Sequence, residues 1–165
     1  MGDTVDVHWG NVEVQWGAVP AVIRDVITVL SRQARRSSDH LDRLVWPETP
    51  GDVQDQLRMA IGDAHKISKA GTDLRAVLSA YAHKFHNPRP VISELARAQG
   101  TSSQGFIRRY SDATMTAVEN LLSATPDVKM IREGIPSLSL IDLSELSGPV
   151  GKAASEILAA DRPRG

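Results

Sequence analysis

Residues 90–110 read Pro-Val-Ile-Ser-Glu-Leu-Ala-Arg-Ala-Gln-Gly-Thr-Ser-Ser-Gln-Gly-Phe-Ile-Arg-Arg-Tyr, and they predict two short helices joined by a tight turn. Pro90 suits the first position of a helix, where its missing N–H costs nothing. Ile92, Leu95 and Ala96 recur at the spacing that places side chains on one helical face. Because Ala96 is small, the pattern predicts that a second helix crosses close over it.

The turn and the second helix follow from the next residues. Gly100 can adopt the left-handed conformation that ends a helix, and Ser102 or Ser103 can cap the helix that follows. The second helix is expected to bury its apolar residues, Phe106, Ile107 and Tyr110. It is expected to leave its polar residues facing outward, namely Ser103, Gln104, Arg108 and Arg109.

This spacing is typical of a helix-turn-helix that reads DNA. The stretch resembles the helix-turn-helix of bacterial repressors, most closely the tetracycline-repressor type, over about 21 of the 165 residues. The motif Leu-Ala-x-x-x-Gly appears as Leu95, Ala96 and Gly100, and the elements that follow it are Ser102, the apolar pair Phe106-Ile107 and the closing aromatic Tyr110. The chain departs from the family at Thr101, where an apolar residue is preferred, and in the roughly 90 residues that precede the motif. The resemblance therefore implies the DNA-binding module and not the family's ligand-binding domain.

A module of this kind has defined candidate contacts to double-stranded DNA. The candidates for base edges and nearby phosphates are Ser102, Ser103, Gln104 and Arg108. The candidates for phosphates are Lys84, Arg89, Arg97 and Arg109. Gln can pair with adenine and Arg with guanine through two hydrogen bonds. Since one module reads few base pairs, we expect a homodimer with half-sites roughly 34 Å apart.

The distribution of charge agrees with this prediction. The formal net charge is −1, which counts against a non-specific nucleic-acid coat. Residues 84–110, however, carry five basic residues and one acid, Glu94, which gives +4 in 27 residues. A chance cluster of arginines is the alternative explanation. Arg32, Arg35 and Arg36 form another basic patch, which is either a second phosphate contact or a solvated helix face.

The composition and the rest of the chain predict a mainly α protein, a helical bundle with an N-terminal β-hairpin and the helix-turn-helix module. The expected regions are a β-hairpin (1–17), a helical hairpin that is a candidate dimerisation region (18–87), the module (88–124) and a C-terminal helical segment (125–165). In the β-hairpin, Gly10-Asn11 forms the turn, Trp9 faces Val12, Val7 faces Val14 and Val5 faces Trp16. The hairpin either covers the protein's own core or exchanges strands in a dimer.

The helical hairpin is expected from helices over 20–45 and 52–85, with Asp52 as a cap and a break near Gly71. The second helix is expected to carry Val53, Leu57, Ile61 and Ala64 on one face, and the apolar stripe of the first helix resumes at Leu41, Leu44 and Val45. Ser111 is expected to cap a supporting helix. Residues 128–146 fit either short helices or a strand, and Val150, Ala154, Ile157 and Leu158 predict a last amphipathic helix.

No motif for catalysis or cofactor binding is readable. The chain has no Cys, which excludes disulfides and thiolate chemistry. His83 and His86 lack a carboxylate partner at helical spacing, so we expect no metal and no cofactor, and we do not expect an enzyme. No secretory signal or membrane span is visible, and a cytoplasmic protein is expected. The alternative function is a helical protein–protein interaction or adaptor module without nucleic-acid binding.

Overall fold

The computed structural model describes residues 6–9, 12–15, 17–48, 51 and 53–161, and the protein is mainly helical, as the sequence predicted. Two strands precede eight helices in this part of the chain. In order, the elements are β1 (Asp6–Trp9), β2 (Val12–Gln15), α1 (Ala21–Asp42), α2 (Gln54–Lys84), α3 (Ile92–Ala98), α4 (Ser103–Ile107), α5 (Asp112–Leu121), α6 (Val128–Gly134), α7 (Leu140–Ser144) and α8 (Pro149–Ala160).

The strands β1 and β2 pair antiparallel, with Val7 opposite Val14 and Trp9 opposite Val12. The turn residues Gly10-Asn11 and the pair of Val5 with Trp16 lie outside the described residues. The predicted hairpin and its apolar face therefore stay a prediction.

The long helices α1 and α2 pack against one another and run antiparallel. His40 near the end of α1 contacts Asp63 in the first half of α2, with 3.4 Å between Nδ1 and Oδ1. At the other end, Ile23 of α1 and Val77 of α2 are buried in the same core. The remainder of the pair, residues 31–70, projects from that core, and Ser37 and Ala70 are its buried residues among those described. We call this two-helix projection the arm.

The arm corrects one expectation from the sequence. Its helix α2 continues through Gly71 without a break, because packing on α1 outweighs the cost of about 1 kcal/mol for a glycine in a helix. The apolar face expected on α2 is exposed at Leu57, Ile61 and Ala64, and Val45 is also exposed. Helix α1 therefore covers a different side of α2. The N-cap of α2 is Val53, and Asp52 lies outside the described residues.

One core joins the start of α1, the end of α2 and the C-terminal helices. Its fully buried large side chains come from six helices and the loops between them, and they are Ile23, Val26, Leu30, Val77, Val118, Leu121, Leu122, Ile131, Ile135, Leu138, Leu143 and Val150. Residues 128–146, which fitted either helices or a strand, form α6 and α7. Asp127 caps α6, and Ser139 with Asp142 forms a capping box on α7, so local capping favours helices.

The last helix, α8, buries Val150 and Ala154 as predicted. Ile157 is exposed and Leu158 is half-buried, so the second half of the predicted apolar face is only partly covered.

Candidate nucleic-acid interface

The turn between α3 and α4 follows the sequence prediction closely. Ala96 is 1% exposed. Gly100 has a φ of 67°, which is the left-handed conformation that glycine adopts at little cost. The N–H of Gly100 donates to the carbonyl of Arg97 at 3.0 Å, and the N–H of Thr101 donates to the carbonyl of Ala96 at 2.9 Å. This pair of bonds is a Schellman motif, which ends α3 and sets the direction of the chain into α4.

Helix α3 begins at Ile92, with Val91 as its N-cap, and not at Pro90 as predicted. Residue 91 is extended in the structure, with ψ of 106°. Pro90 therefore precedes the helix and belongs to the linker that follows α2.

Helix α4 has five residues and one buried anchor. The hydroxyl of Ser102 accepts from the N–H of Gly105 at 3.0 Å, so Ser102 is the N-cap of the two residues predicted as candidates. Phe106 is 2% exposed, whereas Ile107 is 43% exposed, so the predicted burial of Ile107 is wrong. Adjacent residues point about 100° apart around a helix. Since Phe106 faces the protein core, the neighbouring Ile107 points towards solvent. Tyr110, just after the helix, is half-buried.

All eight candidate DNA contacts have exposed side chains, and they are Lys84, Arg89, Arg97, Ser102, Ser103, Gln104, Arg108 and Arg109. Arg97, Ser102 and Ser103 line one shallow depression of about 430 Å³ between α3 and α4. Lys84 and Arg89 lie close enough to His83 to lower its pKa. Within the part of the chain that is described, none of the five candidate cations forms a salt bridge.

The α3–α4 module, by which we mean residues 92–110, is tied to α2 by two side-chain hydrogen bonds that the sequence reasoning missed. Gln99 donates its amide N–H to the hydroxyl of Ser79 at 2.6 Å. Nδ1 of His83 is hydrogen-bonded to the hydroxyl of Tyr110. Ser79 and His83 are four residues apart on α2, so the sequence signal was two polar residues on one face of this helix near its C-terminal end.

A third bond holds the linker between α2 and α3. The hydroxyl of Tyr81 and Nδ1 of His86 lie 2.8 Å apart. Burial raises the pKa of Tyr81 to about 12. The pKa of His83 is lowered by burial first and then by the charges of Lys84 and Arg89. His83, considered from the sequence for metal binding, is thus a partner of Tyr110.

The described residues show neither a metal cluster nor a membrane-spanning helix. They contain no group of three or more His, Asp or Glu side chains placed to hold a metal ion. None of their helices is long and apolar enough to cross a membrane.

The comparisons with known proteins assign the chain to no family. No protein-family model, no curated protein and no solved structure matches the chain. The resemblance to tetracycline-repressor-type regulators therefore depends on residues 90–110 alone.

Proposed function

We propose that the protein is a sequence-specific DNA-binding protein, a transcriptional regulator that acts as a homodimer through the α3–α4 module. In this proposal α4 enters the major groove and α3 crosses behind it. The supporting geometry is a pair of short helices joined by a Schellman turn, with the second helix capped by Ser102.

The observation that carries the proposal is the division of α4 and its end into one buried anchor and an exposed polar side. Phe106 alone is buried, while Ser103, Gln104 and Arg108 are exposed. These three side chains supply the donors and acceptors that base edges require, Gln104 for adenine and Arg108 for guanine. Ser102 and Ser103 are short and suit either a base edge or a nearby phosphate.

Electrostatics favour the same surface. Lys84, Arg89, Arg97 and Arg109 are exposed cations around or beside the module. Cations without carboxylate partners can bind phosphates without first breaking an ion pair. In the proposal they fix the register of α4 on the duplex, which is the usual task of phosphate contacts.

The homodimer is part of the proposal because a five-residue reading helix contacts few base pairs. Two modules related by a two-fold axis would read half-sites about one helical turn of DNA apart. The exposed apolar side chains of the arm offer surface for a second copy, and so does the exposed Ile157 of α8.

A protein–protein interaction module is the second candidate, and the arm favours it. Val45 is 81% exposed and Ile61 is 68% exposed, and Leu57 and Met59 are exposed as well. Exposed apolar residues of this size commonly mark a docking surface. In an adaptor, this surface and not α4 would be the functional one.

Titration into fluorescent duplex DNA at two salt concentrations tests the proposal. The double variant Arg108→Ala/Arg109→Ala should bind about tenfold more weakly or worse, and the slope of affinity against salt should fall by about one for each lost phosphate contact. The matched control Lys66→Ala/Lys69→Ala removes the same charge from exposed positions of α2 that are not candidate DNA contacts. Equal affinities of both variants and the wild type, or no binding at all, would favour the adaptor.

A further inference from the structure

Ser79 and His83 lie one turn apart on α2, and Ser79 holds the turn of the α3–α4 module while His83 holds its C-terminal end. Ser79 accepts from Gln99, which is the C-cap residue of α3. His83 is bonded to Tyr110, three residues after the last residue of α4. Since residues four apart lie on the same side of a helix, one face of α2 contacts the module at both its helices.

We propose that Ser79 and His83 are positioning residues, which fix the orientation of α3 and α4 on α2 and thereby the presentation of α4 to DNA. This inference rests on the proposed function. It adds that α2 sets the angle of the module, since a hydrogen bond constrains distance and direction more tightly than apolar contacts do.

The bond between Gln99 and Ser79 has a defined direction. Ser79 is 1% exposed, and its hydroxyl donates to the carbonyl of Arg75 at 2.7 Å. The Ser79 oxygen is then left to accept, so the amide N–H₂ of Gln99 must face it. As a result the amide oxygen of Gln99 is buried without a hydrogen-bond partner among the described residues.

That unpaired oxygen argues against a purely stabilising role for Gln99. A buried acceptor without a partner lowers stability, and an apolar side chain at the same place would avoid this loss. What the amide supplies is a specific contact to one hydroxyl on α2, and polar contacts of this kind favour one arrangement over its alternatives.

The second bond acts at the C-terminal end of the module. Tyr110 is half-buried and follows directly after the exposed Arg108 and Arg109. With its hydroxyl held by His83, the segment that carries both arginines cannot rotate freely about the Phe106 anchor. The third bond, between Tyr81 and His86, holds the linker that enters α3.

The experiment measures orientation first, without DNA. The chain has no Cys, so Lys69→Cys on α2 and Ala98→Cys on α3, both at exposed positions, accept a pair of spin labels in the full-length protein. The doubly labelled parent should give one narrow distance distribution. Adding Ser79→Ala and Tyr110→Phe, which remove one bonding atom at each contact, should broaden the distribution.

DNA affinity is then measured on the unlabelled variants. If only a fraction of molecules presents α4 correctly, the apparent affinity falls by that fraction. Two lost hydrogen bonds correspond to a loss of roughly tenfold to thirtyfold. The conservative His83→Asn keeps a polar amide near the Nδ1 position and should restore most of the affinity, whereas His83→Leu should not.

A narrow, unshifted distance distribution in the Ser79→Ala/Tyr110→Phe variant would overturn the inference. Identical affinities of His83→Asn and His83→Leu would also overturn it, because a merely space-filling role would not separate them. A wild-type protein that fails to bind any DNA overturns the proposed function instead, and the label distances still decide whether α2 sets the orientation.

Discussion

Gly134 at the end of α6 lies directly against Ala113 in α5, since a Cβ atom built on Gly134 would lie 2.2 Å from the carbonyl oxygen of Ala113. The same atom would lie 2.5 Å from Cβ of Ala117. Helix α5 follows the α3–α4 module in the chain and packs against α6 and α2. The close approach of α5 and α6 therefore depends on the absence of a side chain at residue 134.

The variant Gly134→Ala should be clearly destabilised. Its methyl group meets backbone atoms, which cannot move away as the end of a flexible side chain can. Overpacking of this kind costs about 1–3 kcal/mol of the free energy of unfolding. Urea unfolding followed by circular dichroism measures the change.

Gly62→Ala is the matched control, because Gly62 lies inside α2 with no atom within 4 Å of a built Cβ. Replacing a glycine in an open helical position should stabilise the protein by about 0.5–1 kcal/mol. An equal loss of stability in both variants would show that α5 and α6 do not approach each other closely at Gly134.

Gly100→Ala should cost about 1–2 kcal/mol, because residue 100 has a positive φ and an L-side chain is strained there. A Cβ atom built on Gly100 meets no atom within 4 Å, so the loss of stability comes from backbone strain and not from a steric clash. Gly100→Asn should lose less, since Asn tolerates this conformation better than Ala. Thermal unfolding of the two variants gives the comparison, and an Ala variant as stable as the wild type would rule out the Schellman turn.

His83 should titrate below the ordinary histidine pKa of about 6.5. Burial lowers its pKa, and the charges of Lys84 and Arg89 lower it further. Arg89→Gln should therefore raise the pKa of His83 towards its ordinary value. Titration of the histidine ring resonances by NMR measures both values.

The lowered pKa of His83 also determines the direction in which the folding stability changes with pH. Because the unfolded chain binds this proton more readily, the contribution of His83 is present above about pH 6.5 and is lost as the pH falls below that value. His83→Asn should lose less stability between pH 7.5 and pH 5 than the wild type does. An equal loss in both proteins would show that His83 does not titrate below its ordinary range.

Local signals predicted the module well. Gly100 and Ser111 were assigned their turn and capping positions from the sequence, and the structure confirms both. Of the two predicted cap candidates for α4, Ser102 and Ser103, the N-cap is Ser102. Capping and left-handed turns depend on a few neighbouring residues, so the sequence contains the information needed. The exposure of Gln104 and Arg108 follows from the same local pattern.

The parts that could not be predicted depend on distant contacts. Periodicity correctly put Leu57 and Ile61 on one face of α2, but it does not say which face another helix covers. Glycine is a poor helix former, so the sequence around Gly71 predicted a break in the helix. That local pattern does not include the packing of α1 on α2, which keeps the helix continuous. The bonds of Ser79 and His83 to the module, and the contact of Gly134 with Ala113, arise only when helices cross, which no local pattern specifies.

Selection of bound duplexes from a random DNA pool tests the central claim most directly. The wild-type protein should enrich one sequence motif with two half-sites about one helical turn apart, and Gln104→Ala and Arg108→Ala should each lose preference at one position of each half-site. Arg58→Ala, on the exposed surface of α2, should enrich the same motif as the wild type. No enriched motif for the wild type, or the same motif from all four proteins, would contradict the reading of DNA by α4.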